Sequence, residues 1–572
     1  MLKIKGQKKD PIVPPMSISA LYNLSSFRHW NDIVINQKEF DFTRHELKHD
    51  RKIVLKALLA LGIKKGDIIT IATSRSMYDN VVLFLAANKI GAVVSFLDEK
   101  TPRETLLHYI EEFKSPLVVT YKYNDKRIKE LKHDAKPIKH IINLDGKLID
   151  EGDIDETQEE DIEMSVLDHM WVGHKTIREV AKEHKGYMPK NMFGGNNEAI
   201  ITFTSGSTSG PKPMVFTNKA LVAAALYSKA ASGIKMWDKE IKTWLSFVKF
   251  DCPYGFWTST MTPIIGGSSV ILTPDIDESN FPYYLGKDTN VLHTVPLVFE
   301  MLPKVLPDDI DLSSVKMCIS GGERLEKQAS LDIAEYFKAH NATVKMCNGY
   351  GVGECLGSIT VAVGSSYHPD TVGKVVPGAH VAILDPETNE ELDFGKTGLL
   401  YVSGKHTLKR YFNRPELTEE KIRKIKGRKF INTGDLAAVS ETGFVTLVGR
   451  ATFFINTLPA KVYYEVVRAS VARNKVVKSC YVVKMPDKKL GWASCAFVVL
   501  NDGIGKNNET RRKIAKEATD PFYIGKRRIV LKDYEIPRKV VFLDELPLTR
   551  ASKTDFRKLE RMAKELAESE KK

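Results

Sequence analysis

The segment IITFTSGSTSGPKPMVFTN at residues 200–218 decides what the rest of the chain is expected to be. Its apolar start predicts a strand over 200–203, and the Ser-, Thr- and Gly-rich run after it predicts a loop. Glycine lets a backbone approach an anion closely, and small hydroxyl side chains donate hydrogen bonds. A flexible Ser/Gly turn has a similar composition, and the spacing excludes a Walker loop. The residues expected to contact an anion are Thr204, Ser205, Gly206, Ser207, Thr208 and Lys212.

The sequence around this loop alternates between helical and extended patterns. In the region 47–119, helical patterns separate short apolar runs at 68–72, 92–97 and 116–120. A second region, 199–365, repeats the alternation, with strands expected at 200–203, 270–273, 291–295 and 316–320. Such alternation predicts an α/β fold with two doubly wound parallel sheets.

The pattern changes after residue 371. Short strands separated by turns at 371–449 predict a small antiparallel, β-barrel-like unit. The last stretch has its own apolar runs and a charged helical tail, so we expect a large domain at 1–450 and a smaller α+β domain at 451–572. An acidic run at 151–163, EGDIDETQEEDIE, predicts an exposed loop between the two α/β regions.

Composition excludes several classes of protein. Hydrophobic residues make up 43% and charged residues 27%, which is typical of a globular protein. The longest apolar stretch, 81–97, is interrupted by Asn88 and Lys89, and the basic N-terminus has no apolar core after it, so neither a membrane span nor a secretory signal is expected. The net charge of +13 is spread thinly and accompanies no nucleic-acid-binding motif. The 6 cysteines form no CxxC pair, which argues against zinc and disulfides and suits a cytoplasmic protein.

Further motifs follow the anion-binding loop in a fixed order. They are SGGERL at 320–325, NGYGVGE at 348–354, INTGDLA at 431–437, LVGR at 447–450 and LPLTRASKTD at 546–555. Together with the loop, this series resembles the AMP-forming adenylating superfamily, which includes acyl-CoA synthetases, amino-acid-activating domains and luciferases. The resemblance covers about residues 65–559 and is strongest to the acyl-CoA synthetases.

The resemblance implies a role for particular residues. The Tyr350 ring would stack on adenine, while Asp435, reinforced by Arg450, would bind the ribose hydroxyls. Glu354 and Thr208 would hold Mg²⁺, which takes one or two carboxylates together with substrate phosphates. The other residues implied beside the nucleotide are Gly321, Gly322, Glu323, Asn348 and Gly351.

The resemblance assigns the most specific catalytic role to Lys553. It would reach from the C-terminal lid to bridge the substrate carboxylate and the α-phosphate of ATP. Because an anion attacks an anionic phosphorus, a cation between them reduces the repulsion and stabilises the charge that develops. Lys553 also lies in a basic stretch, 550–558, so a lysine that only solvates a helix start is the alternative.

The chain departs from the family pattern in three places. Gly353 stands where threonine is usual, and the lysine loop reads Ala551-Ser552-Lys553 where Ser-Gly-Lys is usual. Thr452 occupies the hinge position, and FFINTLPAK at 453–461 lacks the glycine of the loop that meets the thiol of the second step. These departures favour adenylation over thioester formation.

The pocket for the acid substrate is expected to be built from segments that lie in the sequence between the anion-binding loop and Glu354, with 250–257 and 293–296 as its walls. Two alignments compete there. Asp251 could hold a substrate ammonium, as in amino-acid-activating relatives, or Pro253-Tyr254-Gly255 could match the aromatic–Gly signature of acyl-CoA synthetases, which is the slightly better fit. A third possibility is that Asp251 is only a structural cap. The pocket residues so implied are Asp251, Tyr254, Gly255 and Trp257.

The resemblance implies a carboxylate–CoA ligase that uses ATP, Mg²⁺ and coenzyme A on a small carboxylic acid. One alternative is an enzyme that loads an amino or aryl acid onto a phosphopantetheinyl carrier protein, for which the positive charge would suit an acidic partner. An alternative of another class is a nucleotide-binding protein that has lost turnover, as the departures at Gly353 and Thr452 would allow.

Overall fold

The computed structural model describes most of the chain. The described residues are 2–98, 100–121, 131–145, 167–189, 194–204, 211–274, 277–323, 325, 327–363, 367–368, 371–451, 454–457, 461–524, 527–548 and 554–569. The acidic run at 151–163 and the positions Thr452 and Lys553 lie outside them. No helix in the described part is long and apolar enough to cross a membrane.

Two nine-stranded sheets form the bulk of the molecule. In spatial order, the strands of the first sheet are Arg410–Tyr411, Pro213–Thr217, Glu198–Phe203, Val93–Phe96, Ile68–Ile71, Leu117–Thr120, His140–Asn143, Trp171–Val172 and Lys175–Thr176. Those of the second sheet are Lys374–Val375, Thr360–Val363, Lys345–Tyr350, Met317–Ser320, Val291–Thr294, Thr243–Ser246, Ser269–Leu272, Ile33–Gln37 and Phe40–Thr43. The central strands of each sheet are parallel and buried, which confirms the predicted fold class.

The assignment of strands to the two α/β regions differs from the prediction. The strand Glu198–Phe203, expected in the second region, pairs in parallel with Val93–Phe96 of the first sheet. Conversely, Ile33–Gln37 from near the N-terminus pairs in parallel with Ser269–Leu272 of the second sheet. Apolar patterning shows that a segment is a buried strand, but its parallel partner is set by tertiary packing far along the chain.

The largest hydrophobic core contains residues of both sheets and of several helices. That core contains the helix Tyr78–Ile90, which is buried except at Lys89 and which the apolar stretch 81–97 predicts. The other α-helices among the described residues are Ile18–Ser25, Arg44–Ala60, Arg103–Phe113, Leu131–Asp134, Ile177–Glu183, Asn218–Ser232, Thr262–Gly266, Phe281–Leu285, Pro296–Val305, Lys327–Ala339, Pro415–Lys421, Tyr464–Ala472, Asn508–Glu517 and Phe556–Ser569. A π-helical turn spans Tyr254–Met261, and 3₁₀ turns span Glu278–Asn280 and Gly353–Cys355.

A six-stranded antiparallel sheet follows, as predicted from 371–449. Its strands are Glu391–Leu392, His380–Leu384, Gly398–Ser403, Arg428–Val439 and Ile422–Ile425, and Val445–Arg450 also pairs with Arg428–Val439. Beyond it, Val477–Asp487, Gly491–Leu500 and Lys539–Leu543 form a separate three-stranded sheet. Two hairpins complete the described part, Phe454–Asn456 with Lys461–Tyr463 and Phe522–Ile524 with Arg527–Ile529.

Candidate active site

The ends of the anion-binding loop are joined by reciprocal hydrogen bonds. The backbone N–H of Thr204 donates to the Lys212 carbonyl at 3.1 Å, and the Lys212 N–H donates to Thr204 Oγ1 at 3.0 Å. Tyr109 Oη donates to the carbonyl of Pro211. The loop therefore has a fixed base at the carboxyl end of the strand Glu198–Phe203. Ser205, Gly206, Ser207 and Thr208 lie outside the described residues.

Tyr350, Asp435 and Arg450, which are far apart in the sequence, meet at one point. Tyr350 Oη donates a hydrogen bond to Asp435 Oδ2, and Arg450 Nε lies 2.9 Å from Asp435 Oδ1. Burial raises the pKa of the Asp435 carboxyl, while Arg450 and the Tyr350 hydroxyl act in the opposite direction. Burial, followed by the charge of Asp435, raises the pKa of Tyr350 above its ordinary value. Tyr350 is therefore a donor, and both oxygens of Asp435 are engaged.

The local sequence explains where Asp435 points. Gly434 has φ +76°, a left-handed conformation that glycine adopts without strain. Thr433 Oγ1 accepts from the Asp435 N–H at 3.1 Å and donates to the Leu400 carbonyl at 2.9 Å. The antiparallel register then places Arg450 opposite Asp435. The Thr-Gly-Asp motif thus sets the backbone turn that aims the carboxylate.

Glu354 has a partner that could not be identified from the sequence. Tyr411 Oη donates to Glu354 Oε1 at 2.7 Å, and the Leu408 N–H donates to the Glu354 carbonyl at 2.8 Å. Tyr411 is only 2% exposed, whereas Glu354 is half-buried. Tyr411 lies in a short strand that no periodic pattern marks, so nothing local to the sequence points to its place beside Glu354.

Gly353 borders a buried methionine. A Cβ atom added at Gly353 would lie 2.9 Å from Met214 Cε, and Met214 is fully buried. Met214 is also paired in register with Tyr411 on the neighbouring strand. The methyl group of Met214 thus borders the place that the usual threonine side chain would take.

Tyr254 contacts the Gly-Gly segment that the resemblance places beside the nucleotide. Tyr254 Oη and the Gly321 N–H both donate to the carbonyl of Thr294, at 2.9 Å and 3.2 Å. A Cβ at Gly321 would lie 2.8 Å from the Tyr254 ring, so only glycine fits there. The expected pocket residue Tyr254 and the expected nucleotide residue Gly321 are therefore immediate neighbours.

The remaining expected residues take different positions. Asn348 is buried beside Ser320 in the second sheet, and Gly351 follows that strand. Gly255 lies against the backbone of Lys249, while Asp251 is half-buried just before the π-helical turn. Trp257 is 1% exposed and packs in the core, where its ring centroid lies 6.5 Å from that of Phe84. The place of Trp257 in the acid pocket stays a prediction.

The C-terminal sheet lies close to the same site. Tyr481, on the strand Val477–Asp487, has its pKa raised to about 12 by burial and then by the charges of Glu465 and Glu323, while Arg450 lowers it. Gly322 precedes Glu323 with φ +85°. A backbone bridge between Leu548 and Thr554 closes the base of the loop that carries Lys553. The described residues thus place Glu323 and Arg450 near the C-terminal sheet.

The donor set around Glu354 suits magnesium. No group of three or more His, Cys, Asp and Glu side chains that could hold a metal occurs among the described residues. Mg²⁺ needs no such group, because it binds one or two carboxylates together with waters and substrate phosphates. The single half-buried carboxylate of Glu354 fits that requirement.

Comparison with known proteins gives a consistent result. Residues 27–412 match the AMP-binding enzyme family, and residues 467–553 match the AMP-binding enzyme C-terminal domain. "Probable CoA ligase CCL5" of Humulus lupulus is 25% identical over 87% of this chain and 84% of its own length. Bacitracin synthase 3 of Bacillus licheniformis is 27% identical over 68% of this chain but only 6% of its own length.

A solved structure shares the whole fold. ATP-bound MatB from Rhodopseudomonas palustris superimposes with a TM-score of 0.77 and 20% identity, covering 96% of this chain and 99% of its own. The motifs at 200–218, 320–325 and 348–354 fall within the first of the two family matches, and the motif at 546–555 overlaps the end of the second. The chain belongs to the AMP-binding enzyme family, within the AMP-forming adenylating superfamily, and is an acid–thiol ligase of the acyl-CoA synthetase type.

Proposed function

We propose that this enzyme joins a carboxylic acid to coenzyme A in two steps. A carboxylate oxygen attacks the α-phosphorus of ATP, the bond to the bridging oxygen of the β-phosphate breaks, and pyrophosphate leaves. The thiol of coenzyme A then attacks the carbonyl carbon of the acyl-AMP, AMP leaves, and the thiol proton passes to solvent. The mixed anhydride is already activated, so the reaction needs no side-chain nucleophile.

The observation that carries this proposal is the cluster of Tyr350, Asp435 and Arg450, with Glu354 four residues beyond Tyr350. In the proposed complex, adenine stacks on Tyr350 and the ribose hydroxyls donate to Asp435, whose ionised form Arg450 favours. Glu354 and Thr208 would hold Mg²⁺, which neutralises phosphate charge when bound. The other proposed nucleotide contacts are Thr204, Ser205, Gly206, Ser207, Lys212, Gly321, Gly322, Glu323, Asn348 and Gly351.

The acid is proposed to lie beside Tyr254 and Gly255, because Tyr254 contacts Gly321 of the nucleotide segment. Lys553 would bridge its carboxylate and the α-phosphate. In this proposal residues 1–450 and 451–572 move relative to each other, so that Lys553 withdraws before the thiol enters. The name of the relative CCL5 is an independent support for coenzyme A as acceptor.

A second candidate is transfer of the acyl group to a carrier protein. The similarity to bacitracin synthase 3 and the departures at Thr452 and 453–461 favour it.

Pyrophosphate release should therefore be measured with fatty, aryl and amino acids, each with and without coenzyme A. Turnover that rises strongly with coenzyme A and gives a thioester supports the ligase. Release of about one equivalent, unchanged by coenzyme A, points to an acyl-AMP that awaits a carrier. No release with any acid argues against both.

A further inference from the structure

The Gly353–Glu354 turn is held from one side by a pair of strands. Arg410–Tyr411 pairs with Pro213–Thr217, which leads directly out of the anion-binding loop. On this pair, Met214 stands in register with Tyr411. Met214 contacts the position of Gly353, and Tyr411 hydrogen-bonds Glu354. Two neighbouring side chains thus support two successive residues of the turn.

The Tyr411 hydroxyl is a firm donor. A tyrosine hydroxyl keeps its proton near neutral pH, because its ordinary pKa is about 10. Its oxygen can therefore donate to a carboxylate that accepts. The hydrogen bond at 2.7 Å engages Oε1 of Glu354 and restricts rotation of the carboxylate about its last torsion.

The backbone around Tyr411 is itself fixed. Thr418 Oγ1 accepts from the Tyr411 N–H at 3.1 Å and donates to the Arg414 carbonyl at 2.8 Å. The Leu408 N–H donates to the Glu354 carbonyl at 2.8 Å. Segment 408–418 therefore binds both the main-chain carbonyl and the side-chain carboxylate of Glu354.

We propose that Tyr411 is a positioning residue that orients the Glu354 carboxylate for Mg²⁺, and that Met214 supports the adjoining turn where Gly353 provides no side chain. This inference rests on the proposed role of Glu354 as a magnesium ligand. Partners that orient a metal-binding side chain contribute strongly, and their removal typically costs about 10–100-fold in metal affinity.

The test is binding of a non-hydrolysable ATP analogue, measured by calorimetry while free Mg²⁺ is titrated. Tyr411→Phe should raise the Mg²⁺ concentration at half-maximal effect by about 10–100-fold. Its affinity for the analogue in EDTA should stay within about twofold, because the change concerns the metal ligand only. An unchanged Mg²⁺ dependence would overturn the proposal, as would an equal loss of affinity with and without Mg²⁺.

Tyr78→Phe is the matched control, because Tyr78 Oη also donates to a buried carboxylate, Asp50 Oδ2, at 3.0 Å. It should leave the Mg²⁺ dependence unchanged.

If Tyr411→Phe does not fold, Thr418→Val is the second variant, because it keeps the Tyr411 hydroxyl but removes the hydrogen bond that fixes its backbone. It should shift the Mg²⁺ dependence several-fold; no shift would contradict the proposal. Failure of every acid to turn over would defeat the proposed function, whereas this binding experiment would still decide the role of Tyr411.

Discussion

Arg450 and Asp435 face each other across two antiparallel strands, with Arg450 Nε 2.9 Å from Asp435 Oδ1. Asp435 is only 5% exposed, and Tyr350 approaches its second oxygen from the second nine-stranded sheet. The pair therefore links the antiparallel sheet to the sheet that carries the Asn-Gly-Tyr segment. We expect the nucleoside to bind at this junction.

Asp435→Asn should weaken ATP binding, because a carboxylate that accepts from the ribose hydroxyls is replaced by a neutral amide. A hydrogen bond to a charged group contributes about 1.5–3 kcal/mol, so the affinity should fall about 10–150-fold by calorimetry. The control is Asp393→Asn, because Asp393 directly follows the strand Glu391–Leu392 of the same antiparallel sheet. It should leave the affinity for ATP unchanged. Equal affinities for the two variants would remove Asp435 from the nucleotide site.

Gly353→Thr should be poorly tolerated unless Met214 is shortened. The new Cβ would lie 2.9 Å from Met214 Cε, and overpacking of this kind costs about 1–3 kcal/mol. Urea unfolding of Gly353→Thr, Met214→Ala and the double variant should show the double variant to be more stable than the sum of the single effects implies. If the stability changes of the two single variants simply add up in the double variant, the side chains at positions 353 and 214 are not in contact.

Lys553→Ala should slow acyl-AMP formation strongly while ATP binding is retained. The lysine is proposed to stabilise charge in the transition state, and removal of one such group costs about 10²–10³ in rate. Rapid-quench detection of the acyl-AMP separates this step from binding. Lys558→Ala, in the exposed part of the helix Phe556–Ser569, is the control. Unchanged acyl-AMP formation in Lys553→Ala would refute its role.

Two buried histidines should make the fold sensitive to acid. Burial lowers the pKa of His293 to about 3 and that of His406 to about 4, from an ordinary 6.5. Below pH 6.5 the unfolded chain therefore binds protons that the folded protein does not, and stability falls as the pH falls. Each histidine should contribute a slope of up to about 1.4 kcal/mol per pH unit.

Urea unfolding at pH values between about 8 and 5 measures this slope. His406→Gln should reduce the slope by the contribution of one histidine and leave the stability difference between about pH 8 and pH 7 nearly unchanged. The same slope in His406→Gln and in the unmodified protein would show that His406 does not stay neutral in the folded state.

Much of the fold could be predicted because apolar runs and glycine turns are local signals. The strands Ile68–Ile71, Val291–Thr294 and Met317–Ser320 lie within a residue of their expected positions. The pairing of Glu198–Phe203 with the first sheet and of Ile33–Gln37 with the second could not be predicted, because it depends on contacts between distant segments.

The candidate site shows the same limit. Asp435 and Arg450 come together because their strands are adjacent and antiparallel. Each of these strands carries a motif that can be recognised in the sequence, INTGDLA and LVGR. Tyr411 and Met214 carry no such mark, and their contacts with Glu354 and Gly353 arise only when the edge strand Arg410–Tyr411 joins the first sheet.

The most direct test of the central claim follows oxygen from the acid into AMP. An acid that supports turnover is labelled with ¹⁸O in its carboxylate, and the products are analysed by mass spectrometry. Attack of the carboxylate on the α-phosphorus predicts one ¹⁸O atom in each AMP and a thioester that keeps the other. Label in orthophosphate with formation of ADP, or AMP without label, would contradict an acyl-AMP intermediate.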